Sequence, residues 1–177
     1  MALPLAAGDW SVTLAPEDGA GITAMRAGGR DILVPAPAGA ALGGPFGAFW
    51  MIPWANRLDA GRLGPYRLPV SAAPSPGLDG GEEAFLGLDT HFAGWDGAAR
   101  IAWPGLTLHM RATGALATNL QVYAPRARTV LCVEPSSHLP DVANRPDMAA
   151  LGPMRLLPPG ESLTGRITLT AESSHQP

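Results

Sequence analysis

A helix needs a long window free of glycine and proline. This 177-residue chain, with 22 Gly and 19 Pro spread along it, offers almost none. Short segments with β-type patterning lie between the breaks. Trp10–Leu14 alternates through Trp10, Val12 and Leu14, Glu17-Asp18-Gly19 reads as a turn, and Gly21–Arg26 reads as a second strand. Gly28-Gly29 is a hairpin signal leading into Arg30–Val34. Leu106–Thr113 gives the cleanest period of two, with Leu106, Leu108, Met110 and Ala112 on one face and Thr107, His109, Arg111 and Thr113 on the other. Arg100–Trp103, Asn119–Tyr123, Thr129–Val133 and Leu163–Ala171 are further strands, and Pro69–Glu83 reads as a loop or linker. The expected fold is all-β: an antiparallel β-sandwich forming a single domain over residues 1–177.

Hydrophobic residues make up 46 % of the chain and charged residues 15 %, so it has the apolar material for a packed core. The net charge is −3 and no Lys/Arg cluster occurs, which argues against nucleic acid or an anionic membrane as partner. Apolar runs are broken by Gly and Pro, so no transmembrane helix is expected. MALPLAAGDW lacks the basic start of a signal peptide. One cysteine, Cys132, reads as a small core residue and fits a cytoplasmic location.

The chemistry-bearing stretch is TVLCVEPSSHLPDVANR, residues 129–145. Glu134 follows the apolar Val130–Val133 run and precedes Pro135, which cannot continue a ladder. This suggests a carboxylate at a strand end, aimed into a cleft or marking where the strand meets water. Phe46–Arg62 is the most aromatic stretch and carries Trp54, Asn56 and Arg57. An amide and a guanidinium beside tryptophans can bond vicinal hydroxyls while a ring stacks on a sugar face; the alternative is a buried aromatic cluster ending in a solvated turn. No nucleotide loop or Gly-x-Ser-x-Gly occurs, and the four histidines are too scattered for a sequence-local metal motif, so no cofactor or metal is expected. His138 reads as a loop residue and His109 as solvated surface.

Several of these segments resemble the aldose 1-epimerase (galactose mutarotase) family. IPWANRLDAGR (52–62) is similar to its Asn-Arg signature, and LDTHFAGWDG (88–97) to its Asp-x-x-Phe-x-Gly-Trp-x-Gly segment. LQVYAP (120–125) and LCVEPSSHLPDVANRP (131–146) resemble its C-terminal strands with the Glu-Pro pair, and LLPPGESLTGRI (156–167) its closing turn and strand. Trp10–Val34 fits the opening strands more weakly.

The resemblance implies a truncated mutarotase-type supersandwich acting on or binding a monosaccharide. Glu134 would be the base that deprotonates the anomeric hydroxyl, and Asn56, Arg57, Asp89 and Trp54 would bind the sugar. Family members are much longer. Only Pro69–Leu88 stands where they carry a central block with two histidines, one of them the acid. An absent acid/base group is worth roughly 10²–10⁴-fold in rate. His91, two residues after Asp89, would share its strand face and is the candidate substitute acid; a pocket-lining or structural role is the alternative. A non-catalytic sugar-binding module and a vestigial-pocket interaction domain are the other readings. Loss of the block would open sheet edges or apolar faces, so a homodimer covering that surface is expected.

Overall fold

The computed structural model describes residues 1–40, 46–51, 70–72, 82–127 and 129–173. The chain order is β1 (Leu3–Ala7), β2 (Trp10–Ala15), β3 (Gly21–Ala27), β4 (Arg30–Asp31), β5 (Val70–Ala72), α1 (Glu82–Phe85), β6 (Asp89–Ala93), β7 (Ala98–Trp103), β8 (Leu106–Gly114), β9 (Asn119–Tyr123), β10 (Cys132–Ser136) and β11 (Gly165–Glu172). Two short 3-10 turns, Val142–Asn144 and Pro146–Met148, lie between β10 and β11. The fold is therefore all-β, and its strand pairs are antiparallel apart from β5 with β6. No helix among the described residues is long and apolar enough to cross a membrane.

The chain divides into two compact units. The first comprises the described residues within Met1–Ile52, Pro104–Leu106 and Ala171–Pro177. Its β1-β2-β3-β4 sheet is a meander of consecutive hairpins. The turn between β1 and β2 is made by Gly8-Asp9, with Gly8 at φ 57, where only glycine is unstrained. β4 is shorter than the Arg30–Val34 expected. Its ladder stops at Asp31, and the chain bends toward Pro35 with Ile32 N–H donating to Met25 O at 2.8 Å. Phe49 and Trp50 are 48 % and 57 % exposed, so this end of the aromatic stretch is not a buried cluster.

The second unit comprises the described residues within Pro53–Trp103 and Thr107–Thr170. One sheet has the order β10-β9-β6-β5, and β7 and β8 belong to the order β11-β8-β7. Phe92, Leu120 and Val122 from the first of these sheets and Ala112 from the second are buried together with Trp95. Ala99, Met110 and Val133 pack against them. The alternation expected of Leu106–Thr113 holds for Leu106, Leu108 and Ala112, which are buried, but Thr107 is buried too and His109 is half-buried rather than solvated.

Two expectations are corrected here. The strand expected at Thr129–Val133 lies at Cys132–Ser136, so Glu134 is a mid-strand residue opposite Gln121, not a strand end. Pro135 is tolerated because β10 stands last in its sheet, where a missing N–H breaks no further ladder. Pro69–Glu83 is not wholly loop: Val70–Ala72 pairs in parallel with His91–Ala93.

Candidate functional site

Strand register builds the site. His91 pairs with Gln121 and Gln121 with Glu134, so the three side chains stand in one row across three strands. By the period of two, Asp89, Ala93, Asn119, Tyr123, Cys132 and Ser136 share that face, while Phe92, Leu120, Val122 and Val133 turn to the core. One face of the sheet is thus apolar and the other polar, buried at His91, Asn119, Gln121 and Ser136, half-buried at Glu134 and exposed at Asp89. His91 is 2 %, Asn119 1 %, Gln121 5 % and Ser136 5 % exposed. Buried polar groups are costly unless bonded. Here Gln121 Nε2 donates to Asp89 Oδ1 at 3.0 Å, and Asn119 Nδ2 donates to Thr118 Oγ1 at 3.1 Å.

That second bond fixes the neighbouring imidazole. With its NH₂ engaged, Asn119 presents Oδ1 to His91 Nε2 at 3.2 Å, so Nε2 carries the proton. Nδ1 then holds a lone pair that is buried and has no partner among the described residues. Burial lowers the His91 pKa, and the neighbouring Asn119 and Gln121 amides oppose that shift. His138 follows β10 in the loop, as expected, but is only 4 % exposed. Ser137 Oγ lies 2.8 Å from its Nδ1, and its pKa is lowered by burial and then by His91. Leu139 and Val142 pack on Ala93, which anchors this loop to β6 two residues beyond His91. Leu139 N–H donates to Gly152 O at 3.0 Å, and a Cβ at Gly152 would sit 2.5 Å from Asn119 Oδ1, so the crossing requires glycine.

Glu134 is shifted the other way. Burial raises its carboxyl pKa, and Asp89 raises it further. Burial and Glu134 in turn raise the Cys132 thiol pKa. A carboxylate made more basic, a second carboxylate and two neutral imidazoles can exchange protons with hydroxyl groups and bond them.

Of the residues singled out in the sequence, Asp89, His91 and Glu134 are brought to one face. Trp54, Asn56 and Arg57 lie outside the described residues. Asn119 and Gln121 were missed. Their signal was the polar half of the alternation Asn119, Gln121, Tyr123 within an apolar strand. Among the described residues, no group of three or more His, Cys, Asp or Glu is arranged to hold a metal ion. Comparison of the chain with family models, with curated proteins and with solved structures found no match.

Proposed function

We propose that this protein is aldose 1-epimerase-like, built on a truncated mutarotase-type β-sandwich, and that the polar sheet face binds a monosaccharide. Glu134 is the base that takes the proton from the anomeric hydroxyl, and His91 is the candidate acid that gives a proton to the ring oxygen as its bond to C1 breaks; the reverse transfers reclose the ring. The observation that carries this reading is the row His91–Gln121–Glu134, with Asp89 on the same face and the Glu134 pKa raised. A base closer in pKa to the working pH transfers protons more effectively than an ordinary carboxylate. Asp89, with Asn56 and Arg57 from the signature stretch, holds sugar hydroxyls, and Trp54 stacks on the sugar face. A cytoplasmic location accompanies this reading.

One observation favours a second reading, a sugar-binding module without catalysis. The His91 and His138 pKa values are both lowered, so neither ring is an imidazolium at neutral pH, and a neutral imidazole is a weak acid for the ring oxygen. Polarimetry or NMR of freshly dissolved α-glucose and α-galactose separates the two. Acceleration that falls by roughly 10²-fold or more in Glu134→Gln supports the enzyme. No acceleration, but saturable binding lost in Arg57→Ala, supports the binder. Absence of binding for any aldose sinks both.

A further inference from the structure

The three-stranded sheet carries a second feature that the sugar-site reading does not use. Arg100, His109, Arg111, Thr168 and Thr170, with Ala98, Ala99 and Met110 between them, line an open concavity of about 480 Å³. Ala99 and Met110 also pack against the core, and Arg100, His109 and Arg111 alternate with them along β7 and β8. Ala112 N–H donates to Gly97 O at 2.8 Å, and Ala115 N–H donates to Thr164 O at 2.9 Å. Counted from these pairs, antiparallel register sets His109 between Arg100 and Thr170, and Arg111 between Ala98 and Thr168. Arg166 continues the face beyond Thr168, and Glu172 continues it beyond Thr170.

The electrostatics of this face run against those of the chain. The net charge is −3, yet no carboxylate lines the concavity. Arg26, Arg145 and Arg155 each pair with an acid, at 3.0, 3.6 and 3.5 Å. Arg100 and Arg111 are exposed and have no ion pair or hydrogen bond among the described residues. They are diagonal neighbours on adjacent strands, an arrangement in which like charges repel. A bound anion removes that repulsion. Two guanidinium forks and two threonine hydroxyls supply donors from several directions, which suits a tetrahedral phosphate better than a planar carboxylate. The volume suits a small molecule.

We propose that this face binds a phosphomonoester dianion carried by a small soluble molecule. Arg100 and Arg111 would grip two phosphate oxygens, and Thr168 and Thr170 would donate to the remaining ones. The site is distinct from the polar face of the other sheet and does not depend on the sugar reading.

Titration calorimetry with sodium phosphate and with glycerol 3-phosphate at low ionic strength tests it, with sodium chloride of matched ionic strength as control. Saturable binding of both phosphates is expected, weakened at least about tenfold in Arg111→Ala and in Arg100→Ala, and less in Arg111→Lys, which keeps the charge and loses the fork. Circular dichroism of each variant should match the parent, since both arginines are exposed. No saturable binding by the parent protein, or unchanged affinity in the Arg100→Ala, Arg111→Ala double variant, overturns the proposal. So does binding to phosphatidic acid vesicles without binding of either free phosphate.

Discussion

His91 shows how one amide sets the chemistry of a ring. The Thr118–Asn119–His91 chain leaves Nε2 protonated and Nδ1 bare, so nitrogen NMR of the neutral protein should show a pyridine-like Nδ1 at this residue. Asn119→Asp would reverse the balance, because a carboxylate beside Nε2 favours the imidazolium and raises the His91 pKa. The lowered pKa values of His91 and His138 have a stability consequence with a definite sign. A group whose folded pKa is depressed contributes stability that is present above its ordinary value, 6.5 here, and is lost as pH falls through the folded pKa. The urea midpoint should therefore drop on acidification below about 6.5, and drop less in His91→Asn. Glu134 acts oppositely: its raised pKa gives stability below the ordinary value of 4.5 that is lost as pH rises through the folded pKa. Gly152→Ala should cost about 1–3 kcal/mol in urea unfolding, because its Cβ would collide with Asn119 Oδ1 and nothing nearby is a loose chain end.

The strands differ in how openly their sequences declare them. β8 and β9 were legible because a half-polar alternation has no other stable reading, and Asn119–Tyr123 matches its expected bounds. β5 was hidden because its partner, β6, follows about twenty residues later in parallel, and three residues give no period. β10 was displaced because Pro135 reads as a stop. An edge strand accepts it, and the difference moved Glu134 from a strand end into a lateral row with Gln121 and His91. Asp89, His91 and Glu134 could be picked out from the sequence, but their alignment depends on register between strands, which a linear reading does not contain. The loop after β10 holds its place through Leu139, which is buried against Ala93 and Val142. Leu139→Ala should destabilise the fold by about 2–5 kcal/mol in urea, with the His138 ring resonance losing its shielded environment at the same time.

At the scale of the molecule, the first unit leaves large apolar side chains on its surface, among them Leu3, Leu5, Phe49 and Trp50. Where such side chains adjoin one another they can serve association. We propose that the chain forms the homodimer expected from the missing block, for which light scattering should give about twice the 18.3 kDa chain mass. A clean monomer at micromolar concentration would discard it, and Trp50→Glu is the variant expected to split it. The chain also carries a single thiol, and it lies beside Glu134 on the polar face. Because the Glu134 carboxylate helps hold the Cys132 thiol protonated, the rate of its reaction with a disulfide reagent becomes a built-in voltmeter for that carboxylate. Neutralising Glu134, by a proton or by Glu134→Gln, should shift the thiol's reactivity profile toward lower pH. The ionisation of the proposed base can then be followed from its neighbour, without any substrate present.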